Sequence, residues 1–445
     1  MKTYDYTIIG SGPSVYRFLV GMQGSKKRIL VVESDNFGGI CPNAGCEPKI
    51  FLEGAIKTAL TSRDLLNKGI ESPAKLNWND LILEKKRVFS PVSTNNQHAY
   101  EELGADTVRG TASFVDEHTI KVDETLITSD NFIIATGLKP RPMNIPGSHL
   151  FLTSDDFFNM EDLPATVAII GSGYVGMEIA TILSAAGSNV TMLQRSDRPL
   201  RDFDSRHVDM LIKNMKENLG IDFRFNTQVT KAEKTSNGIL VTTDNGQNLE
   251  FSTVINATGR IPNINALNLE NTKVDFDKDG VIVDKYLRTT ASNIYAIGDV
   301  IKKDIPRLTL TAQFEGAYLS AYLLGKKKSE IHYPVIGKVT FTFPQLASTG
   351  VDIDQARLDP NLTVKDIDIS KGDFLYAGTN DYNAHLSLVY DQNQRIIAAS
   401  EISQTASDDI NIFIPIIALD IDQNLWNEKM VMSFPSLAFK LRNIL

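Results

Sequence analysis

The chain has 445 residues, of which 42% are hydrophobic and 22% charged, and this length predicts about two to four folded domains. A formal net charge of −9 argues against a general nucleic-acid binder or a protein held on an anionic membrane. Two Cys and six His exclude a disulfide-stapled scaffold and leave little material for a metal site. The longest apolar stretch, residues 412–419, is far shorter than the ~20 residues of a membrane-spanning helix. Because residues 1–5 lead directly into a strand pattern without a signal-peptide core, we expect a soluble, cytoplasmic protein.

The first predicted elements are a strand at residues 6–9, a glycine turn, a helix and a strand at residues 28–33. The apolar residues of the helix recur at the spacing of one helical face: Val15, Phe18, Leu19 and Met22. Gly10 and Gly12 lie in the turn, where the missing side chains let the backbone approach a pyrophosphate. Glu33 ends the second strand, where a carboxylate can accept hydrogen bonds from an adenosine ribose. This order predicts a dinucleotide-binding unit.

A second unit of the same kind follows at residues 167–194, and the string Ile-Ile-Gly-Ser-Gly occurs in both units. Its turn contains Gly171 and Gly173. Its helical face is formed by four residues at the same offsets as in the first unit: Gly176, Ile179, Ala180 and Leu183. A plain strand-to-helix turn would need neither glycine, so the duplicated pattern favours two nucleotide sites over two turns without a ligand.

The two units differ at the residue that ends the second strand. Gln194 lies 23 residues after Gly171, as Glu33 lies 23 residues after Gly10, but glutamine carries no charge. Three basic residues follow it: Arg195, Arg198 and Arg201. They could bind a 2′-phosphate, which would favour NADP(H), or they could form a solvated basic loop. The residues alone leave both interpretations open.

Two later strands end in the same tripeptide, Ala-Thr-Gly, at Gly137 and Gly259, and a proline follows each. These segments predict crossings between domains. A third strand, of the buried type, leads into Gly298 and Asp299. The Asp299 carboxylate could cap the next helix, or it could bind a hydroxylated cofactor chain at the end of the strand.

The pattern of predicted strands and helices changes from about residue 333 onward. Three short apolar runs predict strands there: residues 339–343, 386–390 and 396–399. Residues 410–419 predict a helix that Pro415 should interrupt. Together these elements predict an α+β domain.

The two cysteines, Cys41 and Cys46, lie five residues apart in a segment rich in Gly, Pro and Asn, which predicts a turn. A zinc site would need two further ligands, and the nearest histidine in sequence is His98. Two unrelated core thiols are the other alternative, although such a turn is a poor place to bury them. We therefore favour a redox-active pair.

Residues 38–49 read Gly-Gly-x-Cys-x-Asn-x-Gly-Cys-x-Pro-Lys, which resembles the redox-disulfide segment of the pyridine nucleotide–disulfide oxidoreductases. That family includes glutathione reductase, dihydrolipoamide dehydrogenase and mercuric reductase. The order of the motifs matches over almost the whole chain. The resemblance implies an α/β protein with two Rossmann-like, doubly wound nucleotide-binding domains and a C-terminal α+β dimerisation domain. The implied boundaries are 1–150 for the first part of the FAD domain, 151–265 for the NAD(P)H domain, 266–330 for the second part of the FAD domain and 331–445 for the interface domain.

The resemblance also implies the ligands of the two cofactors, FAD and NADPH. Gly10, Gly12 and Glu33 would hold the ADP part of FAD, and Asp299 its ribityl chain. Three glycines at the strand ends are also implied to be cofactor-binding: Gly137, Gly259 and Gly298. The pyrophosphate of NAD(P)H would be lined by Gly171, Gly173 and Gly176. Arg195 and Arg201 match positions that bind the 2′-phosphate, which favours NADPH over NADH, although Gly176 is more typical of NADH users.

Five residues match the family's catalytic positions: Cys41, Cys46, Lys49, Tyr174 and Glu178. The resemblance implies that electrons pass from NADPH through FAD to a Cys41–Cys46 disulfide. Cys46 would be the flavin-side thiolate, and Cys41 would attack the acceptor. Lys49 and Glu178 would pair near the flavin, and Tyr174 would cover it until nicotinamide binds.

The pattern breaks at the C-terminal segment. Family members that reduce disulfides have His-Pro-Thr-x-x-Glu there, whereas this chain has Phe434 and Phe439 in place of the proton-transferring His and its Glu partner. Loss of such a group typically costs about 10² to 10⁴ in rate. We expect a small disulfide as the acceptor. The alternatives are a metal ion, a quinone or dioxygen, or a redox-sensing flavoprotein of low turnover. The resemblance further implies a homodimer, whose interface helix would include five residues: Ile412, Phe413, Ile416, Ile417 and Leu419.

Overall fold

A computed structural model describes residues 3–441 of the chain, so residues 1–2 and 442–445, at the ends of two predicted domains, lie outside it. The strands are β1 Thr3–Ile9, β2 Ile29–Glu33, β3 Ala105–Arg109, β4 Ala112–Asp116, β5 Thr119–Val122, β6 Thr125–Ile134, β7 Leu138–Pro140, β8 Leu152–Thr153, β9 Thr166–Ile170, β10 Asn189–Leu193, β11 Asp222–Arg224, β12 Val229–Lys234, β13 Ile239–Thr243, β14 Asn248–Phe251, β15 Thr253–Asn256, β16 Arg260–Pro262, β17 Phe276–Asp277, β18 Gly280–Val281, β19 Ile294–Ala296, β20 Gly337–Thr340, β21 Gln345–Gly350, β22 Thr363–Asp368, β23 His385–Tyr390 and β24 Ile396–Ser403. The α-helices are α1 Pro13–Met22, α2 Ile40–Ala44, α3 Cys46–Asp64, α4 Trp78–Phe89, α5 Val92–Glu102, α6 Ser154–Phe157, α7 Tyr174–Ala186, α8 Ser205–Leu219, α9 Thr309–Leu323, α10 Ile353–Ala356, α11 Phe374–Gly378, α12 Ala406–Ala418, α13 Gln423–Lys429 and α14 Leu437–Leu441.

These elements form two compact units, each assembled from separate stretches of chain. The first unit contains residues 3–49, 83–141 and 260–333. The second contains residues 50–82, 142–259 and 334–441. The four domain segments that the family resemblance implies stay a prediction.

The first unit is built on a sheet of strand order β3-β2-β1-β6-β5-β4, with β19 paired to β6. Strand β1 pairs in parallel with both β2 and β6, and β19 is parallel to β6. The carboxyl ends of parallel strands share one edge of a sheet, so Gly10, Glu33, Thr136 and Gly298 all lie at that edge.

Helix α1 connects β1 to β2, and its buried face contains every apolar residue that the sequence periodicity predicted. Pro13 is the first helical residue, where its missing N–H costs no hydrogen bond. The helix packs very closely against α9, since a Cβ on Gly316 would lie 1.9 Å from the carbonyl oxygen of Ser14.

The second unit contains the other predicted nucleotide-binding fold, a sheet of strand order β11-β10-β9-β15-β8 with parallel pairing throughout. Helix α7 follows β9, and its four predicted face residues are buried. It ends at Gly187, whose φ of +118° lies in the left-handed region that glycine adopts most readily.

The same unit contains an antiparallel sheet of strand order β20-β21-β24-β23-β22, against which α12 packs. The predicted α+β character of this region is confirmed. The predicted interruption at Pro415 is wrong, because α12 continues through it. Pro415 lies on the exposed side of the helix, and its carbonyl still accepts the N–H of Leu419 at 3.0 Å.

Among residues 3–441, the helices are all too short or too polar to cross a membrane.

Candidate redox and nucleotide sites

The glycine turn after β1 requires glycine for steric reasons. Gly10 has a φ of +104°, and a Cβ there would lie 2.3 Å from the carbonyl oxygen of Ala135. Gly12 precedes α1 and has open space around its Cα in the direction of a side chain. A Cβ on Gly39 would lie 2.8 Å from the Gly12 Cα. The backbone is therefore packed closely on one side and accessible at Gly12, as a phosphate cradle requires.

Glu33 is 9% exposed and is held in place by both of its oxygens. Its Oε2 accepts from the Ser11 hydroxyl at 2.5 Å, and its Oε1 accepts the N–H of Asp35 at 2.9 Å. Ser11 is itself fixed, because its hydroxyl accepts the N–H of Gly38 and its carbonyl accepts the Tyr100 hydroxyl. Since each carboxylate oxygen has two lone pairs, Glu33 keeps acceptor capacity for a ribose.

The carboxyl ends of β6 and β19 carry buried oxygens that favour a polar ligand. Within residues 3–441, Thr136 Oγ1 and Asp299 Oδ1 are buried and have no hydrogen-bond partner. Gly137 follows with a φ of +62° and open space at its Cβ position. Burial raises the pKa of Asp299, and the nearby charges of Lys303 and Arg307 oppose this shift. A hydroxylated chain such as the ribityl of FAD would satisfy these oxygens. The alternative role of Asp299 as a helix cap is wrong, because it lies inside the short 3₁₀ turn Gly298–Val300.

The two cysteines lie on helices, so the predicted turn is wrong. Cys41 is in α2, Cys46 is the first residue of α3, and Gly45 separates the helices. A Cβ on Gly45 would lie 2.8 Å from the carbonyl oxygen of Ile40, so only glycine allows this tight connection. The Asn43 amide also holds α2 by donating to the carbonyls of Phe37 and Gly39 at 2.9 and 2.8 Å.

Cys41 and Cys46 are two thiols in this structure, and their surroundings differ. A hydrogen bond to Cys46 raises the pKa of the Cys41 thiol well above its usual range, and burial adds to the shift. Cys46 lies 3.6 Å from the hydroxyl of Thr309, the first residue of the 15-residue helix α9. The hydroxyl and the positive end of the helix dipole both favour negative charge on Cys46. A hydrogen bond with Thr309 also lowers the pKa of Cys41, so Thr309 acts on both sulfurs, and the separate roles of the two thiols stay a prediction.

Lys49 and Glu178 belong to different units. Lys49 lies in the first turn of α3, where its N–H donates to the carbonyl of Gly45 at 3.2 Å. Glu178 lies in α7, is 5% exposed, and accepts the N–H of Phe341 at 2.8 Å. Their pairing stays a prediction.

The glycine turn of the second unit is as tightly packed as that of the first. Gly171 has a φ of +100°, and a Cβ there would lie 2.5 Å from the carbonyl oxygen of Ala257. A Cβ on Gly176 would lie 2.3 Å from the Gly171 carbonyl oxygen. Gly259, at the end of the second Ala-Thr-Gly, has a φ of +110°. Ser172 Oγ is buried and without a partner among the described residues, so a phosphate oxygen could accept from it.

A cavity of about 210 Å³ opens beside Gly173. Its lining includes Tyr174, Gln194, Arg198, Arg201 and Phe203. The rings of Tyr174 and Phe203 meet edge to face, with 5.4 Å between their centroids. The cavity therefore connects the glycine turn with the basic segment, where the sequence predicts the adenosine end of a pyridine nucleotide.

Only part of the basic segment is available to a 2′-phosphate. Arg198 donates to Asp354 at 2.9 Å and to the carbonyl of Phe203 at 2.6 Å, so this guanidinium is already engaged. Arg195 is exposed, and Arg201 is 66% exposed and 3.7 Å from Asp197. The structure thus separates Arg198 from the other two arginines, as the resemblance also did.

The C-terminal segment places Phe434 in an exposed group of aromatic rings. Phe434 is 64% exposed, and its ring centroid lies 5.7 Å from that of Phe374 and 5.1 Å from that of Phe439. None of these rings can transfer a proton. Elsewhere in the described part of the chain, no group of three His, Cys, Asp or Glu side chains could hold a metal ion.

Comparison with known proteins assigns the class. The family model described as pyridine nucleotide-disulphide oxidoreductase matches residues 4–316, and the chain belongs to this family of flavoprotein enzymes, which use FAD and NAD(P)H. It is 31% identical to a mercuric reductase of Staphylococcus aureus over 91% of this chain and 75% of that protein. It is 32% identical to a glutathione reductase of Burkholderia cepacia over 80% of each chain.

The fold has a close match among solved structures. The Cu(II) complex of the HOCl-induced flavoprotein disulfide reductase RclA from Escherichia coli superposes with a TM-score of 0.88, covering 99% of this chain and 98% of that one at 24% identity. The predicted fold class is therefore confirmed: two Rossmann-like nucleotide-binding folds and an α+β C-terminal domain.

Proposed function

We propose that this enzyme uses NADPH and FAD to reduce the Cys41–Cys46 pair, and that the pair delivers electrons to a thiol-binding metal ion. The observation that carries the choice of acceptor is the replacement of the family's His and Glu by Phe434 and Phe439. Reduction of a metal ion to the metal atom consumes electrons only, whereas reduction of a disulfide must also protonate a leaving thiol. The acceptor inferred here differs from the small disulfide that we expected from the sequence.

The residues at the sheet edge of the first unit suit FAD. Gly10 and Gly12 would accommodate its pyrophosphate, Glu33 its ribose, and Asp299 its ribityl chain. Bound FAD supplies a hydride acceptor for the reduced nicotinamide and a two-electron donor for the cysteines. Gly137, Gly259 and Gly298 would keep the backbone close to the cofactors.

The cysteine pair provides two sulfur ligands for a soft divalent ion. Both thiols lose their protons when they bind the metal, and Thr309 beside Cys46 helps to form the first thiolate. Each sulfur would then give one electron to the divalent ion, which leaves as the neutral atom while the two sulfurs join in the Cys41–Cys46 disulfide; NADPH would reduce that disulfide again through FAD. A mercuric reductase is among the relatives that exceed 30% identity, which supports this class of acceptor.

A small disulfide is the second candidate, since a glutathione reductase is equally similar in sequence. In that reaction Cys41 attacks one sulfur of the substrate, and the other sulfur leaves as a thiolate that must find a proton. Without the histidine, the proton has to come from solvent. We therefore expect slow turnover except with disulfides that have a good leaving thiol.

Three further predictions from the sequence remain proposals. NADPH is favoured over NADH because Arg195 is exposed and Arg201, which lines the cavity, is 66% exposed. We propose a homodimer because the family resemblance implies one. Two of the predicted interface residues, Phe413 and Ile416, are buried within their own chain and cannot form the dimer interface. Half-buried Ile412 and Ile417 and exposed Leu419 remain candidates. A cytoplasmic location stays a prediction, and sedimentation of the holoenzyme at micromolar concentration tests the dimer.

The acceptor is tested by a direct comparison on the FAD-loaded enzyme. NADPH oxidation is measured with Hg²⁺, with Cu²⁺ and with a panel of small disulfides, using the wild type, Cys41→Ser and Cys46→Ser. We expect metal-dependent oxidation that both substitutions abolish. Efficient reduction of glutathione disulfide, with little response to either metal, would instead support the second candidate.

A further inference from the structure

Lys303 is buried between two carboxylates at the predicted ribityl site. Its side chain is 5% exposed, and its Nζ donates to Glu315 Oε1 at 2.6 Å. The same Nζ lies 3.9 Å from Asp299 Oδ1. Glu315 is completely buried. Because an unpaired buried charge is very costly, the ammonium group acts as the counter-ion of both carboxylates.

Glu315 also holds the turn that carries Asp299. Its Oε2 accepts the backbone N–H of Gly298 at 2.6 Å, and its Oε1 accepts the Tyr333 hydroxyl at 2.8 Å. Gly298 has a φ of +80°, a conformation that glycine adopts readily, so the hydrogen bond from its N–H to Glu315 fixes the position of the turn without strain. Lys303 therefore acts on Asp299 directly through its charge, and indirectly through Glu315 and the backbone of Gly298.

The oxygen of Asp299 that lies nearest to Lys303 is the one that lacks a hydrogen-bond partner within residues 3–441. At 3.9 Å the ammonium group is too far away to donate a normal hydrogen bond. The oxygen is thus electrostatically stabilised and still lacks a donor, although it is buried. The Asp299 side chain as a whole is 31% exposed, so a ligand hydroxyl would approach the carboxylate from its exposed side.

We propose that Lys303 is a positioning residue for the flavin cofactor, because its ion pairs with Glu315 and Asp299 keep the Asp299 carboxylate ionised and ready to accept a ribityl hydroxyl. The inference rests on the FAD binding of the family and does not depend on the electron acceptor. The sequence places no motif at Lys303, so only its burial between the two acids identifies it.

The role has a consequence for pH dependence. Burial raises the pKa of Asp299, and three cations oppose this shift: Lys303, Arg307 and Arg260. Burial also raises the pKa of Glu315, which Lys303 and the hydrogen bonds from Tyr333 and Gly298 oppose. Without Lys303, Asp299 takes up a proton at a higher pH than in the wild type. FAD is then lost at a higher pH as the solution is acidified.

The test measures FAD release from purified holoenzymes by flavin fluorescence, between about pH 8 and about pH 5. The variants are Lys303→Met, Lys303→Arg and Tyr333→Phe. We expect Lys303→Met to bind FAD about tenfold more weakly at neutral pH, with a further loss as the pH falls. Lys303→Arg should restore both the affinity and the pH profile. Tyr333→Phe removes one hydrogen bond to Glu315 but keeps both ion pairs, so it should stay within about twofold of the wild type.

Two results would overturn the role of Lys303. One is wild-type affinity and a wild-type pH profile in Lys303→Met. The other is an equal, pH-independent weakening in Lys303→Met and Tyr333→Phe, which would indicate a purely structural role. If Lys303→Met does not fold, Glu315→Gln provides the opposite test. This substitution removes one of the two carboxylates that share Lys303, so the pH at which FAD is released should fall. An unchanged or higher release pH would contradict the role. A wild type that binds no FAD would refute the cofactor itself, which is a different failure.

Discussion

Arg198 donates to the Asp354 carboxylate at 2.9 Å, and the same carboxylate accepts both the N–H and the hydroxyl of Ser205, at 3.1 and 2.8 Å. Asp354 therefore ties together the two ends of the segment that lines the nucleotide cavity. Burial alone would raise the pKa of Asp354, but the bonds from Ser205 and Arg198 outweigh it and lower the pKa. The carboxylate is thus ionised at neutral pH and able to hold the loop in place.

Loss of this contact should weaken NADPH binding in particular. Asp354→Asn removes the charge that holds Arg198, so the segment that presents Arg195 and Arg201 becomes less ordered. We expect the KM for NADPH to rise about fivefold, in line with about 1 kcal/mol for a partly buried ion pair, and the KM for NADH to stay nearly constant. Steady-state kinetics with both nucleotides check this. Asp359→Asn, in the loop after α10, is the control, and equal increases for both nucleotides would contradict the prediction.

The preference for NADPH over NADH should depend on the residues at the end of strand β10. The double variant Arg195→Met with Gln194→Glu removes a candidate phosphate ligand and introduces a ribose acceptor. We expect the preference for NADPH to narrow or reverse, as measured by kcat/KM for each nucleotide. Equal efficiencies in the wild type would already contradict a preference for NADPH.

Restoring the proton-transfer pair should change the acceptor. Phe434→His combined with Phe439→Glu recreates the family spacing, and Phe434 is exposed enough that the fold should tolerate the change. We expect disulfide turnover to rise about 10- to 100-fold while metal reduction changes little. Phe434→Ala serves as the control for removal of the ring. A similar gain in that control would indicate that access, and not proton transfer, limits the reaction.

Thr309 should matter for the reactivity of the thiol pair, because its hydroxyl lies near the Cys46 sulfur and also lowers the pKa of Cys41. Thr309→Val keeps the shape of the side chain and removes the hydroxyl that lies 3.6 Å from the Cys46 sulfur. With that donor gone, the thiolate is less stabilised, and we expect alkylation of the reduced protein by iodoacetamide at pH 7 to slow about three- to tenfold. Thr311→Val, in the same helical turn, is the matched control. An unchanged alkylation rate in Thr309→Val would show that the Thr309 hydroxyl does not stabilise the thiolate.

The C-terminal part of the fold should lose stability in acid through Asp366. Arg357 forms two hydrogen bonds with this carboxylate, at 2.7 and 2.8 Å. Burial alone would raise the pKa of Asp366, but the bonds from Arg357 and Ser387 outweigh it and lower the pKa to about 2. A depressed pKa means that the stabilisation is fully present above the unfolded value of about 4 and is lost as the pH falls toward 2.

Asp366→Asn should therefore lower the free energy of unfolding by about 1–3 kcal/mol near neutral pH. Urea titrations at neutral pH and between about pH 4 and pH 2 should show the difference from the wild type shrinking with acid. Asp420→Asn breaks a more exposed ion pair, with Arg395 at 3.3 Å, and should cost much less. A difference that stays constant across the whole range would contradict the ionic account.

Local patterns in the sequence were enough to predict the nucleotide-binding folds. The faces of α1 and α7 are buried as predicted, because helical periodicity depends only on residues a few positions apart. The helix at Pro415 was predicted less well. Proline disrupts an isolated helix, but packing of α12 on the antiparallel sheet outweighs that preference.

Charges were the feature that the sequence could not assign. Arg198 was grouped with Arg195 and Arg201, although it pairs with Asp354 from a different part of the chain. Lys303 and Thr309 carried no sequence signal at all. The role of each residue depends on the partner that it contacts in the folded chain, so neither composition nor motif spacing could reveal that role.

The sequence by itself determined where the glycine turns lie and which strands and helices surround them, and its resemblance to the family predicts which two thiols form the redox pair. These are consequences of steric limits and residue chemistry that act over a few neighbouring residues. Only the tertiary structure decided which acid faces which cation, which hydroxyl approaches Cys46 and which oxygens stay open to a ligand. Most of those relationships join side chains that are distant in the chain, such as Cys46 and Thr309, and Lys303 faces Asp299, four residues away, only because the turn between them is folded.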